Sequence, residues 1–253
     1  QVDGSTDLVR ETDDNAIVLN KWQHVVVTWD GSTTASNVHI YINSTEVSSY
    51  ATTTDGTSLV DNTGSTFRVG NNSTQSRTFD GTIDEVRVYN RILATAEILK
   101  LHKSGVVTRK ATGTAIVNKT QTKLVPSGQV GYWPFDGKYI TWSGPTALDA
   151  SGNGRNGTLT NMTQSIATAI GKAGQALKFD GTNDSVVLAD NAAYDLATSG
   201  SYTWSMWVKP TAFGDTRNTW AAYDAAANNI FTISARTTSD TSWGPVTAGV
   251  TAT

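Results

Sequence analysis

Most of the chain consists of short segments in which apolar and polar residues alternate, separated by Gly, Asn, Asp, Ser and Thr. In residues 37–47, Val38, Ile40 and Ile42 alternate with polar or aromatic positions. A period of two is typical of strands that turn one face to a core and the other to solvent. Many short strands separated by turn residues predict an all-β, antiparallel, jelly-roll type of sandwich.

One segment has a helical pattern instead. Ile98, Leu99 and Leu101 form an apolar stripe, Thr95 precedes them as a predicted N-cap, and Gly105 follows as a stop signal. The next residues, 106–128, are polar and have no period, which predicts a linker. The strand pattern then begins again. We therefore predict a β-protein with one short helix and a linker near its middle.

Composition limits the possible partners. The chain has 19 Lys and Arg against 22 Asp and Glu, a net charge of -3, so no electrostatic argument favours nucleic acid or an anionic membrane. The absence of Cys excludes disulfides and thiolate metal sites. No apolar run approaches the roughly 18 to 20 residues of a membrane span, so we expect no membrane insertion by this segment. The oligomeric state stays open.

Two blocks of motifs carry a family resemblance. The first contains "WQHVVVTWDG" and "FDGTIDEVRVYNR"; the second contains "GYWPFDG", "DASGNGRNG" and "FDGTNDSVVL". Both resemble the laminin-G-like jelly rolls of the concanavalin A-like lectin/glucanase superfamily, in the form common in bacterial surface proteins. In that family the second block opens the domain and the first closes it. The resemblance implies that residues 1–105 are the C-terminal half of one jelly roll and residues 129–253 the N-terminal half of a second. We interpret the chain as part of a tandem array.

The reversed order raises the question of whether the halves join. In the family the first and last strands are neighbours, which here would place residues 131–136 beside residues 83–90. Separate half-sandwiches would each expose an apolar face and unpaired strand edges. We therefore predict one composite, circularly permuted sandwich. The alternative is two independent halves, each paired with its natural partner elsewhere in the array.

The resemblance also implies a structural calcium site. In calcium-binding glucanases of the superfamily, an Asp at the start of the last strand and backbone carbonyls near the first strand and an early turn hold the ion. The matching positions are Asp84, Pro134 and Gly181, with Asp136 as an accessory ligand. Oxygen ligands of this kind suit Ca²⁺. The alternative is that Asp84 only accepts hydrogen bonds from turn amides.

Four tryptophans are candidate sugar-binding residues. Trp29 and Trp207 are predicted to lie on the strand face opposite their aliphatic neighbours, where an exposed ring could stack on a sugar. The alternative is that both are packing residues. Trp220 and Trp243 lie in loop-like stretches where the family binds ligands.

No catalytic motif accompanies these candidates. A glycosidase needs two carboxyl groups about 5 to 10 Å apart, and the alternation predicts that Asp84 and Glu85 face opposite sides of their strand. We therefore expect a non-catalytic, extracellular module of a bacterial surface or secreted protein that binds a glycan or another cell-surface ligand. The alternatives are a structural spacer repeat of a surface stalk and an accessory domain of a polysaccharide-degrading enzyme.

Overall fold

A computed structural model describes residues 7–13, 16–57, 63–104, 126–195, 200–212, 217–223, 229–235 and 246–250. The described residues form two large antiparallel sheets. Their inner faces share one apolar core that draws on both ends of the chain. The predicted all-β sandwich is therefore confirmed.

The first sheet contains ten described strands. In spatial order they are β5 (Tyr50–Thr54), β1 (Leu8–Thr12), β18 (Val246–Val250), β17 (Asn229–Ala235), β16 (Arg217–Tyr223), β6 (Thr66–Val69), β14 (Ser185–Leu188), β11 (Gly157–Thr160), β10 (Thr146–Ala147) and β9 (Ile140–Thr141). The strands at its two edges, β5 and β9, come from different parts of the chain, one before and one after the predicted linker.

The second sheet contains eight described strands. Seven of them follow the order β12 (Thr168–Ile170), β13 (Gln175–Asp180), β7 (Asp80–Tyr89), β15 (Tyr202–Pro210), β2 (Gln23–Trp29), β3 (His39–Ile42) and β4 (Thr45–Glu46). The eighth strand, β8 (Gln129–Trp133), pairs with the second half of β7.

The two parts of the chain interleave in both sheets. In the ladder between β7 and β8, Val86 lies opposite Trp133 and Val88 opposite Gly131. The other neighbours of β7 are β13 and β15, which also come from the second part. The composite sandwich is thus confirmed. Most of the predicted linker lies outside the described residues, and the assignment of the two parts to successive modules stays a prediction.

Alternation in the strands explains the core. Val25 and Val27 of β2 and Trp204 and Met206 of β15 point inward and are almost fully buried. The opposite face of this sheet is also covered, because a second apolar cluster lies there. It consists of Val26, Tyr41, Tyr89, Leu93, Ile98 and Leu101. As a result, every residue of β2 is buried.

The covering element is helix α1 (Thr95–Ser104). Its N-cap is Ala94, whose carbonyl accepts from the backbone N–H of Ile98, rather than the predicted Thr95. Glu97 compensates, because its Oε2 accepts from the Ala94 N–H at 3.0 Å while Arg91 holds the carboxylate at 2.6 and 2.8 Å. Leu99 departs from the predicted stripe, since 38% of its surface is exposed.

A second, four-residue helix, α2 (Gln164–Ala167), was not predicted. Gly105, the predicted stop of α1, lies outside the described residues. Among the described residues, no helix has the length and apolar character needed to cross a membrane.

A β-bulge interrupts the alternation of β7. Trp207 of β15 lies opposite Asp84, whereas Ser205 lies opposite Arg87, so the pairing shifts between them. Glu85 occupies the shift with a positive φ of 56°. Because residues directly opposite share a face, the bulge places Asp84 and Arg87 on the outer face while Val86 still joins the core. Strict alternation along this strand would place Asp84 on the same face as Val86. The bulge puts them on opposite faces, so that expectation is wrong.

Candidate functional site

A cleft of about 340 Å³ lies beside the hairpin of β3 and β4. Its floor contains two half-buried apolar side chains, Ile42 and Val47, and its walls are mostly hydroxyl and carboxylate groups. The lining residues are Thr12, Asp13, Ala16, Ile42, Thr45, Glu46, Val47, Ser48 and Ser49. An apolar floor with polar walls is the usual character of a small-molecule site.

Two sequence features build this cleft. Asn43 and Ser44 have φ of 52° and 69°, the left-handed pair of a tight hairpin turn that pairs Ile42 with Thr45. The chain then enters β5, which returns beside β1 so that Tyr50 lies opposite Thr12. The pairing of β5 with β1 brings Thr12, Asp13 and Ala16 beside residues 45–49. The alternation indicated the first strand of this hairpin, but no local signal indicated the β1–β5 pairing.

Two residues of the lining, Asp13 and Glu46, carry exposed carboxylates. Ser49 donates from Oγ to Oδ2 of Asp13. Glu46 lies opposite Tyr41, so its carboxylate is on the outer face of the sheet, where His39 Nδ1 lies 2.6 Å from its Oε1. The described lining residues include no Lys, Arg or His. Sequence reasoning had not singled out either acid.

A smaller groove of about 90 Å³ lies near β9 and β12, the edge strands at one side of the sandwich. It is lined in part by the half-buried ring of Trp142 and by the polar side chains of Gln164, Thr168 and Gln175. The groove can hold only a few water molecules, because a water occupies about 30 Å³ of liquid. The wider cleft is the better candidate for a ligand.

The structure does not support the proposed stacking role of Trp29 and Trp207, because each is only 1% exposed. Trp29 packs in the core on the same side as Val25 and Val27, so its predicted face is wrong. Its Nε1 donates to the Ser32 carbonyl at 2.8 Å. Trp207 does lie on the outer face, but other residues cover it. Both rings are therefore packing residues, which was the alternative interpretation.

The cover over Trp207 is a cluster of basic side chains. His102 of α1 stacks on the ring with centroids 5.2 Å apart, and His24 of β2 lies at 5.1 Å. The ammonium of Lys172 lies 4.6 Å from the ring centre. Burial lowers the pKa of His24 well below its usual value, and the neighbouring charges of His102 and Arg87 lower it further. His24 is neutral and contacts Ser205 Oγ at 2.9 Å.

The other two tryptophans add little to the site. Trp220 lies within strand β16, not in a loop as its local sequence indicated. Trp243 lies outside the described residues.

Asp84 is fully buried beneath the loop that precedes β13. Its Oδ2 accepts from the backbone N–H of Ala173 at 3.0 Å. Its Oδ1 has no hydrogen-bond partner among the described residues. Burial, with smaller contributions from the negative charges of Glu85 and Asp136, raises the pKa of Asp84 to about 7, although backbone hydrogen bonds act in the opposite direction.

Only some of the other predicted metal ligands lie near Asp84. Asp136 packs against the same loop, where its Oδ1 accepts from the Gln175 N–H at 2.8 Å. Pro134 is buried two residues before Asp136. Gly181 does not belong to the group. It follows Asp180, which pairs with Asp80, so it lies about 17 Å from Asp84 along the strands.

Two observations bear on whether these residues suit Ca²⁺. The unpartnered Oδ1 of Asp84 and the nearby Asp136 carboxylate are ligands of the right chemistry. The described residues contain no group of three or more His, Cys, Asp or Glu side chains able to hold a metal, so backbone carbonyls would have to complete the coordination. Asp84 and Asp136 therefore fit the ion, whereas Gly181 does not.

Asp84 and Glu85 are closer than the alternation predicted. The Glu85 carboxylate is held by Arg87 and by the hydroxyl of Tyr132 at 2.9 Å, and it contributes to the raised pKa of Asp84. Both acids are nonetheless buried, with exposures of 0% and 6%. A sugar could not reach this pair without displacing the loop above it.

Comparison with known proteins found one family model that matches the first part of the chain. Residues 1–99 match the laminin-G-like model of the concanavalin A-like lectin/glucanases superfamily. This part of the chain is therefore similar to that superfamily, in agreement with the resemblance of its motifs. No curated protein and no solved structure matches the chain.

Proposed function

We propose that the chain is a non-catalytic carbohydrate-binding or adhesion module of a bacterial surface or secreted protein. The match of residues 1–99 to a superfamily of lectins and glucanases supports a glycan as the ligand. The observation that carries the proposal is the cleft of about 340 Å³ with an apolar floor and hydroxyl and carboxylate walls.

A sugar ring has the complementary character. Its C–H face would pack on Ile42 and Val47, while its hydroxyls would exchange hydrogen bonds with the wall groups. The cleft is open to solvent over much of its extent, so it would bury only part of a sugar. Because solvated hydroxyls lose water on binding and the cleft is wide, we expect modest affinity.

Binding without hydrolysis follows from the burial of Asp84 and Glu85. Two neighbouring acids could suit acid catalysis, but Asp84 is buried under the loop that contains Ala173, and the buried Glu85 is held by Arg87 and Tyr132. We expect no release of reducing sugar from β-glucans, xylan or peptidoglycan. Release above a heat-denatured control would contradict the non-catalytic assignment.

A glycan array with three variants tests the binding function. Ser49→Trp should fill the cleft and weaken binding of array hits at least tenfold. Ser127→Trp places the same bulk at another exposed position, and Trp142→Ala empties the small groove. Both should leave binding unchanged.

Equal loss of binding in Ser127→Trp or Trp142→Ala would place the site elsewhere. If the unmodified chain binds no glycan on the array, the spacer interpretation is the better one. Thermal unfolding of each variant would show that the fold is retained.

Structural calcium is a second part of the proposal. Asp84 and Asp136 would hold the ion, and its charge would neutralise a carboxyl pair that burial otherwise disfavours. Calcium at 1 mM should then raise the melting temperature relative to chelator, because a ligand that binds only the folded state stabilises it. The increase should vanish in Asp84→Asn and persist in Asp190→Asn. No calcium-dependent increase in the unmodified chain would reject the site.

A further inference from the structure

We propose that the contact between the last turn of α1 and the outer face of the second sheet is a pH-dependent switch, in which protonation of His24 and His102 releases that turn from Trp207 while the start of the helix stays in place. The proposal is independent of glycan binding. It starts from the two imidazole rings, whose centroids lie 5.7 Å apart and which both contact the Trp207 ring.

His24 has no acceptor for a second proton. The residue is fully buried, and its Nε2 lies 2.9 Å from Ser205 Oγ. Its Nδ1 has no hydrogen-bond partner among the described residues. A protonated imidazole donates from both nitrogens, so one N–H would be buried without an acceptor. Because an unmet donor on a buried cation is costly, proton uptake favours a state in which water reaches the ring.

In the part of the chain that the structure describes, the groups facing His24 supply no free negative charge. The hairpin turn contributes the amide of Asn43, whose Oδ1 accepts from the His24 N–H at 3.0 Å. The polar or charged groups of the other packed elements are Ser205 and Trp207 on β15, Arg87 on β7, His102 on α1 and Lys172 in the loop between β12 and β13.

The two buried acids of β7 do not compensate for an added positive charge. Asp84 lies one strand beyond His24, opposite Trp207, where its Oδ2 accepts from the Ala173 N–H. The Glu85 carboxylate is held by Arg87 and by the Tyr132 hydroxyl. The proposed switch therefore depends on the two histidines and not on the titration of either acid.

His102 also has cationic neighbours. Lys172 places its ammonium 4.6 Å from the centre of the ring on which His102 stacks, and Lys103 follows His102 in the helix. Burial lowers the pKa of His102, and the charges of Lys172 and Lys103 lower it further. These effects outweigh the attraction that a helix C-terminus exerts on a protonated histidine. The closed contact thus disfavours both imidazolium ions.

Acid consequently favours the open state. A histidine that opening exposes to water has a pKa of about 6.5, and both pKa values are lower in the closed state. Below about pH 6.5 the open state binds more protons than the closed state. The stability of the contact is therefore complete above that pH and is lost as the pH falls.

The start of α1 is anchored by groups that do not titrate in this range. Thr203 Oγ1 accepts from the Leu93 N–H at 3.0 Å and donates to the Arg91 carbonyl at 2.7 Å. The hydrogen bonds from Arg91 lower the pKa of Glu97 to about 2, so their ion pair persists at pH 5. Ile98 is fully buried in the apolar cluster beneath the helix. Opening is therefore confined to the end of the helix.

Hydrogen exchange of the tryptophan indole groups, followed by NMR at pH 7 and pH 5, tests the proposal. The Trp207 ring is buried and its Nε1 has no hydrogen-bond partner among the described residues, so its N–H exchanges when the turn opens. Relative to free tryptophan at each pH, its protection should fall about tenfold or more at pH 5. The equally buried indoles of Trp29 and Trp133, which donate to backbone carbonyls, should keep their protection.

Variants of the three histidines locate the response. His102→Gln cannot be protonated and should reduce the pH effect on Trp207 to about threefold or less. The double variant with His24→Gln should abolish it. His39→Gln is the matched control, because His39 lies on the hairpin against Glu46 and does not contact Trp207; the full effect should remain.

Three results would overturn the proposal. One is an unchanged protection of Trp207 between pH 7 and pH 5. Another is a full pH effect in the double variant, which would assign the response to a different group. The third is an equal loss of protection at Trp29 and Trp133, which would show global unfolding. If melting curves at pH 7 show that His24→Gln does not fold, the partly exposed His102→Gln decides alone.

Discussion

The sequence "FDGT" occurs twice, at residues 79–82 and 179–182, and the two copies have different structures. In the first copy β7 begins at Asp80 and runs straight through Gly81, whose φ is 147°. In the second copy β13 ends at Asp180, and Gly181 turns the chain with φ of 77°. The same four residues thus start a strand in one place and end one in the other.

The residues that follow account for the difference. Ile83 continues the first copy with an apolar side chain that joins the core. Asp184 closes the second copy, because its Oδ2 accepts from the Asp180 N–H at 3.0 Å, and Asp180 Oδ1 accepts from the Thr182 N–H at 2.8 Å. The Asp-Gly pair permits a turn but does not impose one. A neighbouring acid or apolar residue decides the outcome.

The two copies also lie side by side, with Asp80 opposite Asp180 and the rings of Phe79 and Phe179 in an edge-to-face contact at 6.4 Å. Replacing either Phe by Ala should cost about 3 to 5 kcal/mol, because both rings are buried. A double-mutant cycle in urea should give a coupling of about 0.5 to 1.5 kcal/mol. Strict additivity would show that the two copies do not support each other.

The second largest effect is expected from replacing the glycines, Gly81 and Gly181, whose substitutions should differ in their cost to stability. A Cβ on Gly81 would lie 2.4 Å from the Lys209 carbonyl oxygen, so Gly81→Ala should cost about 2 to 4 kcal/mol through strain and displaced backbone. A Cβ on Gly181 would lie 3.0 Å from the side chain of Asp80, and Gly181→Ala should cost about 1 to 2 kcal/mol. Urea unfolding measures both. A larger loss from Gly181→Ala would contradict the comparison.

The smallest expected effect concerns pH. Burial raises the pKa of Asp184 from 3.8 to about 6. Between these values the folded state keeps a proton that the unfolded state releases, so this group's contribution to stability falls as pH rises from about 4 to 6. The Asp184→Asn variant lacks this dependence of stability on pH, because Asn does not titrate. The variant should gain about 1 kcal/mol relative to the unmodified chain between pH 4 and 7, less than the full shift implies because Asp180 and Thr182 are exposed.

Melting curves at four pH values, with Asp190→Asn as the control, would measure this effect. A difference between variant and unmodified chain that stays constant with pH would contradict the raised pKa.

The strands could be predicted because periodicity and turn residues are local signals. The pairing of the two parts could be predicted because any sheet must avoid unpaired strand edges. The bulge at Glu85 could not be predicted, since it depends on the register between β7 and β15. The burial of Trp207 depended on a helix and a loop distant in sequence, which cover a face that alternation alone leaves exposed. The acids of the cleft were missed for a related reason. Asp13 meets Ser49, beyond the β3–β4 hairpin, only through the pairing of β5 with β1.

The position of β7 has a consequence during synthesis. Each of its described neighbours, β8, β13 and β15, is made later, and β15 ends at Pro210. At roughly 5 to 20 residues per second, ribosomes need on the order of ten seconds to supply those partners. Through that interval both edges of β7 lack their native partner strands. Unpaired strand edges are prone to aggregate, so the late synthesis of the second part lengthens the time for which the nascent chain carries that risk.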